Sequence, residues 1–253
     1  MRKLVCLLSA TILLTACGKK GPLIYPDMLV PAAPVDVTAQ QRGTAIKLSF
    51  VVPSKDRSGR NLAGLTGVKI LKRDEPAGQP PGCSSCTTDF ALFRHLYLEP
   101  LPADVQRYGG LLLLVDNDVQ TGRRYTYRIQ AFTKDSQDGA VSTVSAAVIA
   151  APPTPPVLKV LSQPTEIYLD LSGIELREGT LVGYNLYRTV KGEAFSLLPL
   201  NREPLGGGRY VDQGLERGVI YSYVARSVVR LPAGSMVESA GSNQVEGSLT
   251  DDE

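Results

Sequence analysis

The chain has 253 residues, a length that predicts one or two domains. Its 27 basic and 25 acidic side chains nearly cancel, which argues against a charge-driven partner such as nucleic acid. The hydrophobic fraction of 43% is typical of a globular core, and one His without any Trp leaves little material for histidine-based catalysis. The 24 glycines and 18 prolines predict many turns and an all-β chain.

The N-terminal segment predicts a secretory signal peptide. Met1–Lys3 is basic, and Leu4–Leu14 is apolar but too short to span a bilayer as a helix. Small residues then lead to Cys17, as at the end of a cleaved signal sequence.

Leu14-Thr15-Ala16-Cys17 resembles the lipobox of bacterial lipoproteins. The resemblance implies cleavage after Ala16, diacylglycerol on the Cys17 thiol and a further acyl chain, such as palmitate, on the new amine. Several acyl chains anchor a protein stably. In lipoproteins of Gram-negative type, Gly18 rather than Asp after the cysteine implies release to the outer membrane. We expect the protein to face the periplasm there, although the sequence alone leaves the face of the membrane open. The alternative is an ordinary signal peptide with a chance cysteine.

Residues 17–26, Cys-Gly-Lys-Lys-Gly-Pro-Leu-Ile-Tyr-Pro, resemble the head of a family of small lipoproteins linked to assembly of the lipopolysaccharide translocon. The spacing departs by one residue, because Ile24 precedes Tyr25. The alternative is a generic tether that lifts the domains off the membrane. Proline density predicts an extended linker over Pro26–Pro34.

The rest of the chain contains one unit twice. Four prolines within 152–156 cannot donate ladder hydrogen bonds, which predicts a domain boundary there. Val115–Tyr127 returns as Val211–Tyr223 at a constant offset of 96 residues. Such a period indicates tandem domains, and period-2 alternation with Gly and Pro turns predicts antiparallel β-sandwiches.

Both copies contain an apolar-x-x-Gly-x-x-Tyr stretch, and here the chain resembles the fibronectin type III family. The resemblance implies that Tyr125 and Tyr221 are tyrosine corners, whose hydroxyls bond upstream backbone. It departs at strand B, where the usual aromatic residue is Phe50 in the first copy and Leu171 in the second. The predicted fold class is all-β: two tandem fibronectin-type-III-like antiparallel β-sandwiches behind a cleaved signal peptide and a Pro-rich tether.

These observations divide the chain into consecutive segments. We expect a lipoprotein signal peptide at 1–16, a lipidated tether at 17–33, a first sandwich at 34–151 with an insertion at about 75–110, a second sandwich at 152–248, and an acidic tail at 249–253.

The insertion adds about nineteen residues to the first copy, as the change in repeat offset shows, and contains Cys83 and Cys86. An even pair of cysteines in an oxidising compartment predicts a disulfide. A metal site would need about four ligands, of which His95 and Asp89 are the nearest further candidates. A redox pair would need a helix N-terminus, and none is predicted here.

The run Leu111–Val115 breaks alternation, so as a strand it should be buried on both faces. We expect the insertion to cover it, through Phe90, Phe93 and Tyr97. The single histidine, His95, lies in an alternating segment and is expected at the surface or edge of a strand.

The sequence predicts a non-enzymatic, membrane-anchored lipoprotein that acts as an interaction or adaptor module in the cell envelope. No nucleophile-elbow, phosphate-loop or dinucleotide motif occurs, and we expect no cofactor and no metal. The expected partners are the membrane, through the lipid anchor, and an envelope protein, but not nucleic acid. The alternatives are a carbohydrate- or peptidoglycan-binding module using Tyr and Phe platforms, and a metal or thiol site at Cys83 and Cys86.

Overall fold

A computed structural model describes residues 23, 25–83, 89–135, 137–142, 145–173 and 175–251, with only the backbone at 145 and 146. The predicted signal peptide with its cleavage site at Ala16, the lipidation site Cys17, and Cys86 all lie outside the described residues. These assignments therefore stay predictions.

Within the described part of the chain, a 3-10 turn at Pro26–Met28 precedes a series of β-strands. In chain order the strands are β1 (Val35–Arg42), β2 (Ala45–Val51), β3 (Leu65–Pro76), β4 (Ala91–Tyr97), β5 (Gln106–Tyr108), β6 (Leu111–Asp116), β7 (Arg123–Thr133), β8 (Asp138–Val141), β9 (Ser145–Val148), β10 (Val157–Ser162), β11 (Glu166–Ser172), β12 (Thr180–Val190), β13 (Gly208–Gln213), β14 (Tyr221–Arg230), β15 (Met236–Glu238) and β16 (Val245–Gly247).

The first sandwich packs two antiparallel layers around one core. One layer has the order β1-β2-β6-β5, and the other has the order β4-β3-β7-β8, with β9 also paired to β7. Alternation places every second side chain of β2 inside, so Ile46, Leu48 and Phe50 are all fully buried. They pack with Tyr127 in a core that contains residues from both layers.

The second sandwich repeats this plan with fewer strands. Strands β10, β11 and β13 form one layer, and β12, β14 and β15 form the other, with β16 paired to β14. Leu171, which occupies the position of Phe50, lies in this core beside Leu169 and Tyr223. The prediction of an all-β chain with two tandem sandwiches is confirmed.

The two sandwiches share a sheet, which the sequence did not predict. Strands β1 and β15 pair in parallel at Arg42 and Glu238, so a layer of each sandwich continues into the other. The amide of Gly43 donates a hydrogen bond to the Glu238 carbonyl at 2.8 Å. Gly43 has a φ of +62°, a conformation that favours glycine in the tight β1–β2 turn.

The N-terminal part of the described chain packs against the first sandwich. The carbonyls of Met28 and Val30 accept hydrogen bonds from the amides of Ser58 and Arg57, both at 3.0 Å. The prediction of an extended linker over Pro26–Pro34 is therefore wrong for these residues, because the loop between β2 and β3 supplies partners for their backbone groups.

The leucine run forms β6 and is buried on both faces, as predicted. Leu112 and Leu114 enter the core, whereas Leu113 faces the other way and is still only 1% exposed. The predicted cover is wrong. Phe93 and Tyr97 lie on β4, which pairs with β3 in the opposite layer, and Phe90 precedes that strand.

Candidate functional site

The first tyrosine corner is part of a buried polar cluster. The Tyr125 hydroxyl accepts a hydrogen bond from the amide of Gln120 at 2.8 Å. Two residues on, the Tyr127 hydroxyl donates to Asp116 Oδ2 at 2.6 Å, and Lys72 Nζ lies 2.7 Å from the same oxygen. Burial, followed by the neighbouring Asp116, raises the pKa of Tyr127 well above its usual range, so this hydroxyl stays a donor.

The second copy builds the same cluster. The Tyr221 hydroxyl accepts a hydrogen bond from the amide of Glu216 at 3.1 Å, and the Tyr223 hydroxyl donates to Asp212 at 2.8 Å. Arg188 Nη1 lies 2.9 Å from both Asp212 oxygens. As with Tyr127, burial first and the carboxylate second raise the pKa of Tyr223.

The cation of each cluster was missed by sequence reasoning. Lys72 Nζ lies 4.7 Å from the centre of the Tyr125 ring, and the Arg188 guanidinium lies 5.2 Å from that of Tyr221. The signal was present, because Lys72 and Arg188 match at the offset of 116 that relates the third strand of each copy. Both clusters join a strand end to the following turn by hydrogen bonds. In each cluster the cation forms an ion pair with the aspartate.

The insertion folds over the outer face of the first sandwich. Arg73 Nη1 donates to the Cys83 carbonyl at 2.8 Å and Nη2 donates to the Gly82 carbonyl at 3.3 Å. The Phe90 ring lies 4.8 Å from the Arg73 guanidinium and 4.3 Å from that of Arg128. Both arginines are consequently buried although they point away from the core. The predicted insertion is thus a cover for its own sheet.

The position of Gly82 in the insertion leaves no room for a side chain. Its amide donates to Glu75 Oε1 at 2.8 Å, and a Cβ at this position would lie only 2.3 Å from that oxygen. The predicted partner of Cys83, which is Cys86, lies outside the described residues, so their disulfide stays a prediction.

His95 belongs to an aromatic group on the same outer face. Its ring centre lies 4.7 Å from that of Phe132 and 5.4 Å from that of Tyr97. The Phe132 ring lies directly over Gly67, where a Cβ would meet it at 2.5 Å. Tyr97 is 48% exposed and His95 is exposed as well, so the group presents aromatic surface to solvent.

The joint between the sandwiches contains a buried carboxylate that sequence reasoning also missed. Glu238 is fully buried, and its Oε1 accepts hydrogen bonds from Tyr187 at 2.7 Å and from Asn185 at 2.5 Å. From the first sandwich, Arg42 Nε lies 3.5 Å from Oε2 and Lys47 Nζ lies 4.0 Å from Oε1. The Arg42 guanidinium also lies 5.2 Å from the centre of the Tyr187 ring.

Burial lowers the pKa of two cationic side chains at this joint. Burial is the largest influence and lowers the pKa of Lys47; Glu238 opposes it, and Arg42 and Arg226 add to it. Burial lowers the pKa of Arg226 too, with a contribution from Arg42. These cations therefore lie close enough to repel one another.

A second contact joins the sandwiches at the end of the insertion. Gln106 on β5 donates to the Phe195 carbonyl at 2.8 Å and accepts from the Leu197 amide at 2.6 Å. Gln106 is the cross-strand partner of Leu113, so both side chains lie on one face. The segment around Leu197, itself 8% exposed, therefore lies on the same side of β5 and β6 as Leu113.

Several clefts indent the described surface, and two of them exceed 600 Å³. One, of about 630 Å³, is lined by Lys72, Phe93, Arg123 and their neighbours, and it contains the ion pair of Arg123 with Asp74. The other, of about 770 Å³, is mainly apolar and lies between β1, β9 and the turn that joins β14 to β15.

No cluster of three or more His, Cys, Asp or Glu residues suited to a metal ion occurs among the described residues. Over the same residues, we find no helix with the length and apolar character needed to cross a membrane.

The paired layers and the two tyrosine corners define a protein built from fibronectin type III-like sandwiches. No family of known proteins matches the sequence, and no curated protein matches it either. Among solved structures, the chain is similar to the FN1–FN3 domains of chicken CNTN1, with 12% identity and a TM-score of 0.33. That match covers 88% of this chain and 66% of the other, and we base no functional statement on it.

Proposed function

We propose that the protein is a non-enzymatic lipoprotein, anchored through Cys17 in the outer membrane and facing the periplasm, that acts as an adaptor for a protein partner in the envelope. The observation that supports the adaptor role is the shared sheet with its buried joint, which holds the two sandwiches in one fixed relation. Two sandwiches that moved freely would lose this relation, and binding through both would cost more ordering entropy. The proposal includes no cofactor, metal or nucleic acid.

The anchor is supported by the lipobox sequence that ends at Cys17. Replacing Cys17 with Ser removes the acylated thiol, so we expect an uncleaved or soluble product without incorporated palmitate. The measurement is membrane fractionation with palmitate labelling, with Cys83→Ser as the matched control. Normal processing and membrane retention of the Cys17 variant would show that the anchor is wrong.

The adaptor role is tested in the intact envelope. Crosslinking of the full chain should capture a defined protein partner, and Cys17→Ser should reduce capture because it removes the protein from the membrane. Glu238→Gln should also reduce capture, because it weakens the joint while leaving the anchor intact. Equal capture by wild type and both variants would contradict the proposal.

A second candidate function is supported by the exposed aromatic group of Tyr97 and His95. Aromatic rings on an open sheet face can pack against the apolar faces of sugars, which fits a carbohydrate- or peptidoglycan-binding module. Sedimentation with isolated peptidoglycan should then depend on Tyr97, and Tyr97→Ala should abolish it. Tyr25→Ala, at a similarly exposed tyrosine, is the control. Absence of sedimentation by wild type would exclude this candidate.

We also propose that Cys83 and Cys86 form a local disulfide that restrains the insertion. Intact-mass measurement with alkylation should find no free thiol at either residue before reduction and two after it. Free thiols in protein isolated from the periplasm, or stoichiometric zinc, would contradict the disulfide.

A further inference from the structure

The layers that contain the equivalent strands β6 and β13 end differently. In the first sandwich, β6 lies between β2 and β5, and β5 belongs to the end of the insertion. The second sandwich lacks the insertion, and among the described residues β13 pairs with β11 alone. The outer edge of β13 therefore has backbone donors and acceptors that no described strand occupies, an arrangement that can pair with a further chain.

The opposite edge of the same three-stranded layer is closed by a side chain. On β10, the Leu158 amide donates to Asn243 Oδ1 at 2.9 Å, and the Asn243 side-chain amide donates to the Leu158 carbonyl at 2.8 Å. Asn243 thus occupies backbone groups that a neighbouring strand would use. Strand pairing with another molecule is consequently expected at β13 and not at β10.

The outer face of this layer has an apolar row that ends at the open edge. Leu161 on β10 lies opposite Tyr168 on β11, and Tyr168 lies opposite Val211 on β13. Leu161 is 49% exposed and Val211 is 38% exposed. The row reaches the edge with an exposed apolar side chain, so a further strand with an apolar residue opposite Val211 would extend it.

The polar residues on either side of Val211 complement one another. Two residues before it, Arg209 donates hydrogen bonds to both carboxylate oxygens of Asp170, at 2.7 Å and 3.0 Å. Two residues after it, Gln213 donates to Glu166 Oε2 at 2.7 Å. If two β13 strands pair antiparallel with Val211 opposite Val211, the Arg209 of each molecule lies opposite the Gln213 of the other. Each guanidinium then lies near the other molecule's Glu166 carboxylate, and cross-strand pairs of opposite charge are stabilising.

We propose that two molecules of this chain pair through β13, antiparallel about a two-fold axis at Val211. The two three-stranded layers then form one six-stranded sheet, and the apolar row of one molecule continues into that of the other. Such an interface uses the same surface of both molecules and closes at a dimer. The pairing goes beyond the adaptor role and does not depend on the anchor at Cys17.

Sedimentation equilibrium of the full mature chain in density-matched detergent tests the pairing. One strand pair with its side chains is a small interface, so we expect a reversible dimer that forms between about 1 and 100 μM. Val211→Lys puts two lysines opposite each other at the axis and should weaken the dimer about tenfold or more. Val157→Lys changes a valine that is 52% exposed on the far strand of the same layer, and it should leave the dimer unchanged.

A mixing experiment separates lost pairing from lost folding. Val211→Glu alone should also be mainly monomeric, for the same reason as Val211→Lys. An equimolar mixture of the two variants should regain the dimer, because opposite charges then meet at the axis. Variants that had merely unfolded would not recover on mixing.

A crosslink locates the axis in the intact envelope. Val211→Cys treated with a short bismaleimide should give a covalent dimer, because the two side chains lie opposite each other. Leu161→Cys, at the far end of the same row, is the matched control and should give none, and wild type reports any reaction of the native cysteines.

Four results would each overturn the proposal. They are a monomer at every concentration, equal association of wild type and Val211→Lys, larger assemblies in place of a dimer, and crosslinking from residue 211 only to a different protein.

Discussion

The outer faces of the two equivalent layers, β3–β7 in the first sandwich and β12–β14 in the second, are buried by different means. In the first, the insertion of the same sandwich covers the face, with Phe90 against Arg73 and Arg128. In the second, the neighbouring sandwich contributes to the cover, with Arg42 against Tyr187. One scaffold can therefore bury the same face with a local loop or with another domain.

The insertion and the joint between the sandwiches differ in the partners that they give to half-buried and buried cations. Around Phe90, Arg73 and Arg128 lie against the aromatic ring, and Arg73 also donates to the Cys83 carbonyl of the insertion. At the joint, the charges of Arg42 and Lys47 depend on a single acidic side chain, Glu238. The second cover should consequently be the more fragile of the two to single substitutions.

The largest expected effect is at Glu238. Glu238→Gln removes the negative charge from a fully buried site and leaves three cations uncompensated, so we expect a loss of about 3–5 kcal/mol in the free energy of unfolding. Urea unfolding monitored by tyrosine fluorescence measures it. Glu246→Gln is the control, because its ion pair with Lys191 is exposed and should contribute less than about 1 kcal/mol. Similar losses in both variants would contradict the difference between the two covers.

A smaller effect is expected from the insertion. Phe90→Ala removes the ring that covers Arg73 and Arg128, so we expect a loss of about 2 kcal/mol from lost apolar burial and cation–π contact. Amide hydrogen exchange should increase over β3 and β7 but not over β12 and β14. Leu92→Ala changes a residue that is 58% exposed nearby and should have little effect. An equal increase in amide exchange over both sandwiches would show that the covers of the two outer faces are not independent.

The tyrosine corners should contribute about equally in both sandwiches. Tyr125→Phe and Tyr221→Phe each remove one acceptor for a backbone amide, and we expect a loss of about 1 kcal/mol per site. Denaturation midpoints of the single variants measure it, with Tyr97→Phe as an exposed control. Unchanged midpoints in both corner variants would rule out the corner role.

The smallest effect is the pH dependence that Lys47 adds to the joint. Its folded-state pKa is lowered below the ordinary 10.5, so the unfolded chain binds more protons between the two values. Stability of wild type relative to Lys47→Met should therefore rise with pH from the folded-state pKa up to 10.5. Unfolding in chloride buffers from pH 7 upward measures this difference. A difference that falls over that range would contradict the lowered pKa.

Local sequence patterns predicted the features that depend on residues of a single sandwich. Alternation and the Gly-x-x-Tyr stretch located Tyr125 and Tyr221, and the leucine run was correctly expected to be buried on both faces. The cover of Leu113 was predicted wrongly, since Phe93 and Tyr97 lie on β4 in the opposite layer of the sandwich. Glu238 had no sequence signal, because an isolated Glu on a short strand is ordinary until Arg42 and Lys47 are placed beside it.

The parallel pairing of β1 with β15 has a consequence for folding. It joins Arg42 to Glu238, residues that are 196 positions apart, so the ends of the described strand region must meet before the joint can close. Contacts of such separation form late, because the intervening chain must be ordered first. During synthesis the first sandwich can complete its own core while β15 is still absent. Closure of the joint is then the last step of assembly, and until it occurs Lys47 remains in water.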